Sequence, residues 1–243
     1  MTTAPWIQAD WTAPAGVIAG CTTRQGGVSD GAYASLNIGQ HVGDVAERVA
    51  ENRRRFAASC GLPQEPGWLS QVHGAVVVTD PAPGTQADAA VSGRAGVVCA
   101  VMVADCLPVL FCSKDGARIA AAHAGWRGLA AGVLEHTVAA LDTAPSGLQA
   151  WLGPAISQAA FEVGDEVREA FVSQDPAAER HFRANARGRW QADLYGLARL
   201  RLADAGIGSV SGGDFCTFGD ADRFFSHRRD GVTGRMAGFI FRR

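Results

Sequence analysis

Strands and helices that interleave irregularly, one well-signalled β-hairpin and the lack of any linker predict an α+β fold, a mixed α/β chain. Its β-sheets are expected to be mixed rather than doubly wound and parallel. The chain has 243 residues, enough for one large domain with a substantial core. No stretch rich in Ser, Pro or charge divides it and no repeat is visible, so residues 1–243 are read as a single domain.

In chain order, a strand is predicted over 17–23. Asp44 with Glu47 three residues later resembles a capping box with Asp in place of Ser or Thr. It opens a helix through Val45, Val49 and Phe56 that ends before Gly61. Strands follow over 67–79, 96–103, 107–113 and 118–123. Ala130, Val133, Leu134, Thr137, Val138 and Leu141 recur at helical spacing and predict a helix from Trp126 to about Leu141. A strand over 148–153, a helix over 164–173 and a helix over 192–205 closed by Gly206 come next. Gln174-Asp175-Pro176 and a run of Arg and Ala mark 174–190 as a surface loop. Strands over 207–211 and 235–241 complete the chain, the second following an Asp230-Gly231 turn flanked by Arg228, Arg229 and Arg235, a pattern usual for a solvated hairpin face.

Residues 104 to 127 carry the most chemical information. Asp115-Gly116 lies between two apolar segments, the strongest short-range signal for a two-residue hairpin turn. If Lys114 pairs with Ala117, then Leu110 faces Ala121, Pro108 faces His123, and Cys106 lies one same-face step beyond. Side chains alternate along a strand, so Cys106, Pro108 and His123 share a face, where diagonal neighbours are roughly 7–8 Å apart or less. His123 then stands just before a helix start, where backbone amides favour anions. The segment GWLSQVHGAVVVTD (67–80) adds His73, followed by Gly74, a residue that permits close approach.

Two readings of Cys106, His73 and His123 stand side by side. Free cysteine is often a buried, inert small hydrophobe, and histidine is often a hydrogen-bonded core residue. Alternatively, one Cys and two His make a catalytic metal set, three protein ligands leaving a fourth position open. A structural zinc site would want a fourth ligand, yet the six cysteines (21, 60, 99, 106, 112, 216) include no Cys-x-x-Cys.

Other residues are read more plainly. Cys99 lies within the apolar run 97–104 and belongs in the core, while His136 and His181 are expected at the surface. Arg24-Gln25-Gly26-Gly27 could present amides beside a guanidinium to an anion, or be a surface turn. Asp105 points away from Cys106 in a regular strand, and a distortion before Pro108 could turn it inward. Glu162 is a similar candidate.

Composition excludes several classes. With 22 basic and 24 acidic residues the net charge is −2, so no field favours nucleic acid or an anionic membrane. The N-terminus lacks a signal-peptide pattern, and Val97 to Ala104 is too short to span a bilayer. Scattered cysteines fit a reducing, cytoplasmic compartment.

The segments TTRQGGVS (22–29), SLNIGQHVGD (35–44), QVHG (71–74), ADCLPVLF (104–111), AAHAGWRG (121–128), GPAI (153–156), FEVG (161–164) and FFSHRRDGVTGRMAGFI (224–240) closely resemble the YfiH-like family, also called laccase-domain proteins. The matches run in order from about residue 20 to residue 241. The resemblance implies a layered α/β/β/α arrangement, zinc ligands at His73, Cys106 and His123, and a substrate pocket shared with Arg24, Asn37 and the C-terminal segment. Where this chain has His227 the family often has tyrosine.

Three chemistries follow. The resemblance supports a zinc enzyme on purine nucleosides: phosphorolysis of adenosine, inosine, guanosine or methylthioadenosine, and hydrolytic deamination of adenosine. Phosphate would be held near Arg24 and the helix start at residue 126. A second reading makes Cys106 a thiolate nucleophile with His123 or His73 as base, an amidase editing peptidoglycan precursors, through the family's likeness to bacterial toxin cysteine hydrolases. The family's laccase name advertises a multicopper oxidase, but six histidines are too few for a blue-copper site plus a three-copper cluster once His136 and His181 are set aside. A non-enzymatic binding protein would gain nothing from an open three-ligand site.

Overall fold

The computed structural model describes residues 5–243. In chain order these form β1 (Trp6–Gln8), β2 (Val17–Thr22), α1 (Ala46–Cys60), β3 (Val77–Thr79), β4 (Ala89–Ser92), β5 (Val98–Val103), β6 (Leu107–Ser113) and β7 (Ile119–Ala124). Then come α2 (Trp126–Ala130), α3 (Val133–Ala140), β8 (Leu148–Leu152), β9 (Glu162–Val163), α4 (Asp165–Val172), β10 (Phe182–Ala184), β11 (Trp190–Ala192), α5 (Leu194–Asp204), β12 (Val210–Gly212), α6 (His227–Asp230) and β13 (Met236–Arg242).

One sheet has the antiparallel order β1-β2-β13-β5. A second has the order β12-β8-β6-β7-β4-β3 and is mixed, its two outer pairs parallel and the rest antiparallel, and a small third sheet is antiparallel with the order β10-β11-β9. Strand alternation sorts the side chains into three cores. Cys99, Val101 and Val103 of β5 meet Leu110, Ala121 and Trp151 between the sheets. Ala100, Met102, Phe239 and Phe241 turn outward onto Phe56 and Cys60 of α1. Val109, Phe111, Ala120 and Ala122 turn the other way onto Leu134, Phe171 and Leu197 of α3, α4 and α5. The layers are therefore α/β/β/α. Each fully buried phenylalanine contributes roughly 1.5–3 kcal/mol by leaving water, and the Phe56 and Phe239 rings also meet edge to face at 5.1 Å.

The hairpin register is the predicted one, with Pro108 opposite His123 and Leu110 opposite Ala121. The sheets close tightly beside it: a Cβ added at Gly238 would lie 2.6 Å from Pro108 Cβ.

Several expectations are corrected. The strand over 67–79 shrinks to Val77–Thr79, because the amides of Val72, His73 and Gly74 bond the Asp88 carboxylate instead of a neighbouring strand. The helix from 126 is two helices, interrupted at Gly132 with φ +87°. Asp44 does not cap α1, whose N-cap is Val45; its carboxylate takes hydrogen bonds from Ser29 and Asn37. The stretch 174–190 holds a 3-10 helix, Pro176–His181, and most of the β10–β11 hairpin. Asp230-Gly231 ends a short helix capped by Ser226 rather than turning a hairpin. Arg229 there donates to the carbonyls of Thr217, Phe218 and Phe224. The strand predicted over 207–211 runs Val210–Gly212. β4, an alanine-rich buried strand, has too little β-propensity to be read from sequence.

Candidate metal centre

Three elements converge at one end of the space between the sheets. β7 carries His123, which is 3 % exposed. Cys106 stands just before β6, following Asp105 at φ +86°. His73 comes from the irregular segment before β3, with φ +61°. The His73 and His123 rings meet edge to face with centroids 4.8 Å apart, and the candidate ligand atoms of His73, Cys106 and His123 all lie within 4.8 Å of one another. Bond lengths of about 2.0–2.3 Å put neighbouring ligands of a tetrahedral zinc about 3.3–3.6 Å apart, so the widest pair must close by little more than an ångström. Glycine makes the convergence feasible. A Cβ at Gly125 would lie 2.8 Å from Cys106 Sγ and 3.3 Å from His73 Cδ2, and one at Gly128 would lie 2.8 Å from the Gly74 carbonyl. The close approach thus occurs at Gly125 and Gly128, whereas a side chain at Gly74 would find only ordinary contacts at 3.6 Å.

Asp88 organises the group. Fully buried, its carboxylate accepts the amides of Val72 at 3.2 Å, His73 at 2.9 Å and Gly74 at 2.7 Å, which fixes the backbone beneath the His73 ring. It also accepts from His123 Nδ1 at 2.8 Å, which leaves Nε2 as the ring nitrogen available to the site, the usual support of a metal-ligating histidine. Burial opposes the charge on Asp88, but the bond from His123 and those from the loop amides outweigh it and hold its carboxyl below the ordinary range.

Thiol electrostatics set Cys106 apart from Cys21, Cys60, Cys99 and Cys112, all of which burial raises. Burial pushes Cys60 up to about 12. Burial acts the same way on Cys106, yet the charge of His123 and hydrogen bonds from His123 and His73 reverse it and bring the thiol down to about 6. His123 is lowered by burial but raised further by Cys106 and Asp88, to about 9. In the metal-free site thiolate and imidazolium stabilise one another. A soft thiolate beside two imidazoles is a donor set that suits zinc.

The trio opens into a cavity of about 830 Å³ whose lining includes Trp68, Leu69, Met102, His41, His227 and Arg235. Neither Arg24 nor Asn37 is part of that lining. Arg24 donates to the carbonyls of Ala34 at 2.8 Å and Ala221 at 2.9 Å and lies over Phe225. The amides of Gly27, Val28 and Ser29 are bonded to Ser35 and Asn52, so these three are already taken up within the fold. Asn37 is fully buried, bonded to Gly39, Asp44 and the Arg235 amide. The helix start at residue 126 is a five-residue turn. Asp105 is turned by its positive φ, and its carboxylate accepts from Thr217 Oγ1 and the Arg228 amide, both at 2.6 Å. Glu162 is taken up by Asn185 and Arg187. His136 is exposed, as predicted, whereas His181 is half-buried beside Asp193. Cys99 is fully buried.

Asp88, Arg235 and His41 escaped the sequence reading. Asp88 left one signal, a lone carboxylate inside the apolar run 87–91. Among the described residues no other group of three or more His, Cys, Asp or Glu side chains is placed to share an ion, and no helix is long and apolar enough to cross a membrane.

A family model described as multi-copper polyphenol oxidoreductase laccase matches residues 18–243. Purine nucleoside phosphorylase YfiH of Escherichia coli is 52 % identical over 238 residues, covering 97 % of this chain and 98 % of that protein. Purine nucleoside phosphorylase PA4543 of Pseudomonas aeruginosa is 53 % identical with the same coverage. The crystal structure of Neisseria meningitidis protein NMB0706 superposes with a TM-score of 0.94 at 52 % identity, covering 98 % of this chain and 99 % of that one. With one order of motifs, one layered fold and near-complete mutual coverage, the chain belongs to the YfiH-like, laccase-domain family.

Proposed function

We propose that this chain is a zinc-dependent purine nucleoside phosphorylase acting on adenosine, inosine, guanosine and methylthioadenosine, and that it also deaminates adenosine. The observation that carries this reading is the His73–Cys106–His123 trio at the end of a cavity of about 830 Å³, within the usual range for a small-molecule site. Relatives 52 % and 53 % identical that bear the name purine nucleoside phosphorylase support it.

Those three side chains would hold zinc, which would supply Lewis-acid chemistry to the site. The protein supplies the rest. Asp88 keeps His123 in the Nδ1–H form and holds the His73 backbone in place. Trp68, Leu69 and Met102 offer apolar surface to a purine. In phosphorolysis a phosphate oxygen bonds to the ribose C1′ while the C1′–N9 bond breaks, its electron pair leaving with the base, which then takes up a proton. Positive charge developing on the sugar is stabilised by the approaching phosphate, so a cation-lined cavity that holds that anion favours the reaction. The substrates are small molecules, and the six free thiols fit a cytoplasmic setting.

The test is to incubate purified, zinc-loaded protein with inosine or adenosine, with and without phosphate, and follow free base, ribose 1-phosphate and ammonia. Phosphate-dependent base release that disappears in Cys106→Ala supports the reading. Absence of both base and ammonia overturns it.

One observation favours a second reading. Cys106, His123 and Asp88 are arranged as nucleophile, base and orienting carboxylate, with the thiol held down to about 6. A Cys–His amidase acting on peptidoglycan precursors would be active without metal and blocked by iodoacetamide. The zinc enzyme would contain about one zinc per chain and lose activity with a chelator.

A further inference from the structure

The cavity extends away from the trio, and its lining contains a single carboxylate, Glu65, among cationic and aromatic groups. Glu65 is already engaged. It accepts Trp68 Nε1–H at 3.0 Å and faces Arg53 at 3.5 Å. Arg53 in turn donates to the Ile38 carbonyl at 3.0 Å and stacks on Trp68.

Arg235 differs from Arg53. Its Nη1 donates to the carbonyls of Thr233 and Gly234, while Nε and Nη2 have no partner among the described residues and no carboxylate lies within ion-pair reach. Those two nitrogens form one edge of the guanidinium, the edge that binds an oxyanion through two parallel hydrogen bonds. The side chain is also held in place. Its amide donates to Asn37 Oδ1 at 2.9 Å, and its stem lies so close to Gly39 that a Cβ there would be 2.9 Å from Arg235 Cγ. His227 shares the lining, with Nδ1 bonded to the Gly231 carbonyl at 2.7 Å and Nε2 left over. His41 feels burial first and then the charges of Arg235 and Arg53, which lower its proton affinity. A half-buried, unpaired guanidinium is costly in the empty protein, and that cost is relieved when an anion enters.

We propose that Arg235 is the phosphate-binding residue of this cavity, its Nε and Nη2 holding two oxygens of inorganic phosphate with His41 and His227 alongside. The assignment rests on the phosphorylase reading for its role, though phosphate binding itself is measurable without turnover. It moves the anion site from Arg24, whose guanidinium is bonded to carbonyl oxygens, to a residue whose stem is seated by the SLNIG segment.

The experiment titrates zinc-loaded protein with inorganic phosphate alone, by calorimetry, in wild type, Arg235→Gln and Arg235→Lys. Zinc content, thermal midpoint and inosine affinity are measured on each. Expected is a loss of phosphate affinity on the order of 10–100-fold in Arg235→Gln and a smaller loss in Arg235→Lys, which keeps a point charge without the fork. Zinc content and inosine affinity should stay near wild type. Wild-type phosphate affinity in Arg235→Gln overturns the proposal, as does a wild-type protein that fails to bind phosphate at millimolar concentration. A parallel arm uses guanosine monophosphate. If that ligand binds through Arg235 while inorganic phosphate does not, the site serves a phosphate carried on a larger molecule and the assignment to the inorganic ion is overturned. Base release without any phosphate dependence would remove the phosphorylase reading while leaving the phosphate titration to decide the site.

Discussion

Asp88 and His123 are joined twice: the carboxylate of Asp88 accepts from the His123 ring at 2.8 Å, and the Asp88 carbonyl accepts the His123 amide at 2.7 Å. The backbone bond sets the height of β7 against β4, and the side-chain bond sets the rotation of the imidazole. A carboxylate remote in sequence therefore aims one candidate ligand, His123, and, through the amides of residues 72–74, places a second, His73.

Asp88→Asn keeps the shape but can no longer accept all of these hydrogen bonds as an anion. Zinc affinity should fall on the order of 10–100-fold, the usual cost of losing such support, measured by competition with a chromophoric chelator. Unchanged affinity would show that the His123 and His73 geometry holds without the carboxylate.

Gly125→Ala places a methyl carbon 2.8 Å from Cys106 Sγ and 3.3 Å from His73 Cδ2. The variant should fold, with a near-native circular dichroism spectrum, yet purify with much less than one zinc per chain by elemental analysis. Stoichiometric zinc in that variant would mean that the trio tolerates a wider opening.

In metal-free protein the Cys106 thiol lies at about 6. Its thiolate fraction, and with it the rate of iodoacetamide labelling, should rise between pH 5 and pH 7 and then level off. An ordinary thiol near 8.5 would still be rising there. Burial raises Cys21 and Cys99 instead, so peptide mapping should find them unlabelled in the folded chain. Added zinc should protect Cys106.

Asp105→Ala removes the acceptor of Thr217 Oγ1 and the Arg228 amide and leaves a φ of +86° to a residue less suited to it. Destabilisation of about 2–4 kcal/mol is expected from two lost hydrogen bonds to a buried charge, read from chemical denaturation midpoints. A shift below 0.5 kcal/mol, the ordinary scatter of surface substitutions, would argue that the C-terminal segment is anchored elsewhere.

Local chemistry was legible where one face and one turn decide the outcome. Asp115-Gly116 and the alternation on either side set the hairpin register, and with it the shared face of Cys106 and His123. Reading failed where long-range partners overrule local preference. GWLSQVHGAVVV looks like a strand, but Asp88 removes the amides of 72–74 from any ladder. What Arg24 touches was equally illegible: its Nε and Nη1 donate to the carbonyls of Ala34 and Ala221, far off in the chain or across a loop. Arg235 looked like a solvated hairpin residue and lines the cavity.

The sequence by itself determined the mixed α+β character, the hairpin, the motif order of the family and the three side chains able to share an ion, because period-2 burial, turn chemistry and residue type act over a few positions. Only the tertiary structure decided that Asp88 stands behind two of those side chains, that Gly125 and Gly128 leave room for them, and that Arg235 lines the cavity with one edge of its guanidinium unbonded. Those outcomes depend on which distant groups exhaust one another's hydrogen bonds and charge, and a linear chain does not show which of its polar groups will be left unpaired once it is folded.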